Sequence, residues 1–175
     1  MSSGKPDINY ADISSLDLPD GIAQMVEMMP LEDLLLALFK RGLPQLEMHT
    51  LIPPSDYIGF PFVLARRAQP IGSWGGDPRF IDRGRVLLSV FTEDPDGENK
   101  GILISEAIRI MFRQAWLEHW NFPGLGSIVE IKMIHEPNRV TDWATATGPV
   151  QFADLPGNVW RTESSYEFII RRPVK

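Results

Sequence analysis

Apolar positions along the chain change their spacing several times, and each change marks an element. Between Lys100 and Trp120 (KGILISEAIRIMFRQAWLEHW) they fall at Ile104, Ile108, Met111 and Ala115. That three-and-four spacing puts them in one stripe of a helix. Leu103, Ala107, Ile110 and Leu117 widen the stripe into a face broad enough to be plain core. Glu106, Arg109, Arg113 and Glu118 mark a narrower polar side. No Gly or Pro interrupts the run from Ile102 to Trp120. A helix of that length is ~30 Å long, enough to cross a whole sheet. The spacing therefore predicts the main helix of an α+β domain, laid on one sheet face.

The runs on either side have strand character. Phe62 to Ala68 (FVLARRA) stops before Pro70, and Arg85 to Thr92 (RVLLSVFT) leads into the polar turn EDPDGEN. Ser127 to His135 alternates, with Ile128, Glu130, Lys132 and Ile134 against Val129, Ile131, Met133 and His135. Val159 to Arg172 (VWRTESSYEFIIRR) is a long strand with Tyr166, Phe168 and Ile170 on one side. Leu46 to Ile52 is a shorter candidate, broken at Pro53–Pro54. An earlier helix, PLEDLLLALFKRG, has Pro30, Glu32 and Asp33 at its start and Lys40, Arg41 and Gly42 at its end. Those residues suit the two poles of the helix dipole and a C-terminal cap. The order is α-β-β-α-β-β. It predicts two hairpins joined edge to edge into a four-stranded, mainly antiparallel sheet packed by one long helix.

The remaining stretches read as connections. Residues 72–84 (GSWGGDPRFIDRG) form a Gly-rich loop without the Walker or dinucleotide spacing, so a long hairpin loop is the better reading. Residues 136–157 form a long irregular connection with small residues and three prolines, and unstructured connections of that length tend to be functional. Residues 1–21 form an extended acidic arm, and 22–175 form the single α+β domain.

Composition narrows the chemistry. In 175 residues with 43% hydrophobic side chains there is enough for a real core and no apolar run that spans a bilayer. The polar, acidic N-terminus has no signal-peptide core, and the chain has no Cys, which excludes disulfides and thiolate chemistry. These features suit a cytosol-like compartment. The net charge of −6 lies wholly in residues 1–60, where Lys5, Lys40 and Arg41 face nine acidic side chains; the remainder holds fourteen of each sign. No basic face for nucleic acid emerges from the counts.

Enzyme signatures are weak. His49, His119 and His135 have no paired ligand spacing, Ser105–Glu106 lacks a nucleophile elbow, and Glu93, Asp94, Asp96 and Glu98 sit in a turn that solvent reaches. No cofactor is implied. A small α+β pocket protein, with Trp116, Trp120, Trp143 and His119 around a hydrophobic ligand, is the rival reading. A regulatory dimer with a ferredoxin-like sheet is the third.

From Phe62 to Arg172 the element order and texture resemble the tail terminator (tail completion, head–tail joining) proteins of long-tailed bacteriophages. The resemblance rests on a hairpin ending in RVLLSVFT, a polar turn and a helix with the ISEAIRIMF pattern. It continues through a third strand and a loop with Pro and Asp to a last strand of the form R-x-x-x-x-Y-x-F-x-I-x-R, here Arg161, Tyr166, Phe168, Ile170 and Arg172. It implies a structural virion protein, assembled in the host cytoplasm, that forms a ring, typically a hexamer, on the head-proximal end of the tail tube. Its partners would be further copies of itself, the tail tube protein and the neck or connector proteins, with genomic DNA passing through and no membrane. Head-to-tail contacts would close such a ring. Trp143, Phe152 and Trp160, in or beside the long connection, are the interface candidates. Adjacent Arg66 and Arg67 must point to opposite strand faces, so one of them could meet a neighbour or the lumen.

Overall fold

The protein is described here from a computed structural model covering residues 31–51, 59–68, 80–140 and 159–171. In chain order the elements are helix α1 (Leu31–Gly42), strands β1 (Glu47–His49), β2 (Phe62–Ala68) and β3 (Ile81–Glu93), helix α2 (Gly97–Leu117), and strands β4 (Asn121–Phe122), β5 (Gly126–Val140) and β6 (Val159–Arg171). The chain is α+β, and its long helix packs on a sheet. The sheet, however, has six strands in the order β1-β2-β3-β6-β5-β4. It is mixed, because β1 runs parallel to β2. The expected four-stranded antiparallel sheet is thus its centre, β2-β3-β6-β5, extended at each edge by a very short strand. β1 falls inside the candidate at Leu46 to Ile52, whereas the two residues of β4 carry almost no periodicity to read. The acidic arm and most of the long connection lie outside the described residues.

The two hairpins meet where β3 pairs β6. That ladder runs unbroken from Ile81↔Arg171 to Glu93↔Val159. Phe80 to Gly84, read from sequence as the end of a loop, therefore mostly belongs to β3. Residues 136–140, read as irregular, complete β5. The alternation expected over 127–135 is also shifted. Register breaks between Ile128 and Glu130, between Met133 and His135, and between His135 and Asn138. Each bulge inserts residues and can reverse which side chains face the core. As a result Ile128 and Ile131 are both buried, and Val129 is left 38% exposed.

Helix α2 starts and stops three residues earlier than its apolar run. It begins at Gly97, where Lys100 N–H donates to Asp96 O at 3.0 Å. It ends because His119 takes a left-handed conformation, φ 47°. His119 N–H then donates to Trp116 O (3.1 Å) and Trp120 N–H to Ala115 O (2.9 Å), the paired bonds of a Schellman cap. Glycine usually fills that position, so nothing in the composition announced the stop.

Both helices lie on one face of the sheet. Leu31, Leu34, Leu35, Leu38 and Phe39 of α1 and Ile108, Met111, Phe112 and Ala115 of α2 form one cluster with Val63, Ala65, Val86, Leu88, Val90, Phe168 and Ile170. Phe112 is its hub, edge-on to Phe39, Tyr166 and Phe168 at centroid distances of 6.1, 4.8 and 5.2 Å. Toward its N-terminus α2 approaches the sheet through small residues. A Cβ on Gly101 would lie 2.6 Å from Thr162 Oγ1. Ser105 turns its hydroxyl back to Gly101 O at 2.8 Å.

Two outcomes follow for the core. Replacing Phe112 with Ala should cost about 3–5 kcal/mol in urea unfolding, because three aromatic neighbours lose their partner. Burial pushes the Tyr166 phenol up, and the nearby Ser164 hydroxyl and Arg109 charge offset that rise only in part. A raised pKa means that stability is complete below the unfolded value of about 10 and falls as pH rises through the folded one. Tyr166→Phe should therefore reduce the alkaline loss of stability with little cost at neutral pH, measured as melting temperature against pH.

Candidate interaction surfaces

Helix-free and helix-bearing faces differ sharply in chemistry. Across β2-β3-β6-β5 the helix-free face carries the rows Phe62–Phe91–Arg161–Val140, Leu64–Ser89–Glu163–Asn138, Arg66–Leu87–Ser165–His135 and Ala68–Arg85–Glu167–Lys132. At one end Phe62, Leu64 and Phe91 form a second small apolar cluster, with Phe62 stacked on Phe91 at 4.8 Å. The remainder mixes charged side chains of both signs with small polar and apolar ones. Arg83 Nε lies 3.7 Å from Glu167, Lys132 lies 3.4 Å from Glu130, and Arg161 Nε donates to Glu163 at 2.9 Å. Ser89 Oγ–H donates to the same Glu163 oxygen at 2.9 Å. Pairing of this kind cancels charge locally, although across these rows Arg66, Arg85, Arg161 and Lys132 outnumber Glu163 and Glu167.

Arg66 and Arg67 do lie on opposite faces, as their adjacency requires. Arg66 sits beside Leu87 on the helix-free face and is exposed. Arg67, beside Val86, is half-buried on the helix side, and its Nη1 has no hydrogen-bond partner among the described residues. Trp143 and Phe152 fall outside the described residues. Trp160 is half-buried at the N-terminal corner of α2. Its indole N–H donates to Asp94 Oδ1 at 2.7 Å. The Arg139 guanidinium lies 4.1 Å over the ring centroid, and Arg139 also reaches Glu98 at 3.4 Å. Gly97 backs the ring, and a Cβ there would collide with indole Cδ1. The indole is thus held inside its own chain, and Arg139, which sequence reading placed in a structureless connection, is what covers it.

A surface that sequence reading assigned to the core is instead outside. Leu103, Ile110 and Leu117 of α2 are 69%, 61% and 62% exposed, with Ile102 also largely exposed. The sequence does carry the signal: these three recur every seven residues, on the side of the helix opposite Ile108 and Ala115.

A groove of about 300 Å³ beside α1 and β1 is lined by Leu36, Ala37, Phe39, Lys40, Pro44, Leu46 and Met48, and Lys40 is its one charge. Of the residues of the rival pocket reading, Trp143 lies outside the described residues, and Trp120 and His119 are each engaged within the chain. Trp120 is buried beneath Arg41, whose guanidinium is 4.1 Å from the ring centroid, and its N–H donates to Glu118 at 2.7 Å. That bond, followed by one from Gln114, holds the Glu118 carboxyl below its usual range. His119 caps α2 instead, with Nδ1 3.3 Å from Ile128 O. Among the described residues no group of three or more His, Asp or Glu is placed to hold a metal, and no helix is long and apolar enough to cross a membrane.

No family model matches the chain, and no curated protein does. Among solved structures, one chain superposes with a TM-score of 0.40 at 12% identity, covering 82% of this chain and 98% of that one. A likeness of that size fixes neither relationship nor function.

The corner around Trp160 gives a sharp test. Gly→Ala inside a helix ordinarily gains up to about 1 kcal/mol. Gly97→Ala should instead destabilise the protein, and Trp160→Ala in the same chain should relieve that cost. A double-mutant cycle in urea should show a coupling of about 1 kcal/mol or more.

Proposed function

We propose that this protein is a tail terminator of a long-tailed bacteriophage. It forms a ring of six copies on the head-proximal end of the tail tube, stops tube growth and joins the tube to the neck of the capsid. Genomic DNA passes through the ring without specific binding. The protein works by assembly and carries out no covalent chemistry. The observation that supports this most is the surface: large aliphatic side chains stand in water on α2 while the core beneath is complete. Large aliphatic side chains left exposed along one side of a helix are characteristic of a face that another protein covers. The α+β order and the continuous last strand, with Tyr166, Phe168 and Ile170 under α2, agree with the resemblance described above.

Native mass spectrometry and negative-stain imaging of the full chain, alone and mixed with tail tubes, test the proposal. Rings, or a cap at one tube end, are expected. A monomer that also ignores tubes contradicts it. Deleting residues 2–21 should impair head joining if the acidic arm docks a neighbour and orders on binding; unchanged joining retires that role. Replacing Trp143 with Ala should reduce ring mass more than melting temperature, and the reverse would place Trp143 in the fold itself.

A further inference from the structure

We propose that α2 is a self-recognition surface along which two copies of this chain pack antiparallel. The spacing comes first. Leu103, Ala107, Ile110, Gln114 and Leu117 follow one another in steps of four, three, four and three residues. That is the seam of a helix that receives one other helix, since a repeat averaging 3.5 residues keeps one stripe facing a partner when the two helices wrap gently around each other. Three of the five are large and more than 60% exposed. None of the five is in the buried cluster beneath α2, so the seam is separate from the core.

The flanking residues select the partner and its direction. Glu106 and Arg113 border the seam on the same side, seven residues apart. In an antiparallel pair each Glu106 comes beside Arg113 of the second copy, twice over by symmetry. The small Ala107 then faces the large Ile110 of the second copy, and Leu103 faces Gln114. In a parallel pair in register, each charge stands level with its own counterpart and each large residue with its own, so both complementarities are lost. Within one chain Glu106 is held by Arg109 at 2.7 Å, while Arg113 is exposed and makes no ion pair among the described residues. A two-fold contact leaves Arg113 with a partner.

The contact is isologous, so it goes beyond the ring and is distinct from the head-to-tail contacts that close one. Its area is modest. Three exposed aliphatic side chains per copy make a contact smaller than the ~800 Å² per partner of a standard interface, so the pair is weak.

Sedimentation equilibrium of the full chain over a wide concentration range is the test. Wild type should associate in even steps. Ile110→Glu should weaken that association at least tenfold while leaving the far-ultraviolet spectrum and melting temperature in place, since Ile110 contributes nothing to the core. Glu106→Arg and Arg113→Glu should each weaken pairing, and the two together should restore it. A wild type that stays monomeric throughout overturns the proposal, as does association indifferent to Ile110→Glu. Failure of the double swap to restore pairing overturns the antiparallel arrangement. If Ile110→Glu destroys a ring, the seam is a ring contact and the two-fold pair is wrong.

Discussion

At its N-terminal half α2 meets the sheet through Gly97, Gly101 and Ser105, and at its centre through Phe112. The rest of the structure depends on that contact. The small residues bring the helix down onto Thr162 and Trp160 of β6, and Thr92 of β3 closes the join by donating its hydroxyl to Gly97 O at 2.6 Å. Farther along, Phe112 fills the wider space with an edge-on ring between both helices and β6. Small residues at one end and a large ring in the middle seat a straight helix over a twisted pair of strands. The β3–β6 ladder beneath it joins the two hairpins, so α2 clamps the seam between halves that are far apart in sequence.

Seating the helix in this way uses only one side of it. The residues that satisfy the core, Ile108, Met111, Phe112 and Ala115, are those one expects, yet Leu103, Ile110 and Leu117 stay mostly exposed. Apolar side chains on the outside of a helix weaken solubility unless something covers them. Their seven-residue repeat and their bordering charges are the features of a face that meets another helix. The sheet's other face differs, with Arg and Lys side chains partly offset by Glu163 and Glu167. One molecule thus presents exposed aliphatic side chains along α2 on one side and a face rich in charged side chains on the other.

Much of this was legible in the amino-acid sequence. The bounds of β2, the start of α1 with Glu32 and Asp33, and the Tyr166, Phe168 and Ile170 side of β6 all follow from spacing and end residues. Three features escaped for physical reasons. His119 stopped α2 by adopting a left-handed conformation that its identity does not demand. Bulges in β5 broke an alternation that looked clean, so a period of two assigned the wrong partners to Ile128 and Ile131. And a wide apolar face on α2 was read as core because sequence alone gives the angular width of a stripe and not what lies against each part of it. The interface candidates divide in the same way. Trp160 is engaged within the chain through Asp94 and Arg139, a pairing across 66 and 21 residues that no local pattern could show.

Tail length is the most direct test of a protein that ends tube growth. Tubes assembled from the tail proteins with this chain omitted should grow past their normal length and fail to join heads, and adding the purified chain back should restore a single length. Tubes of normal, uniform length in its absence would contradict the account, whatever assembly the isolated protein shows.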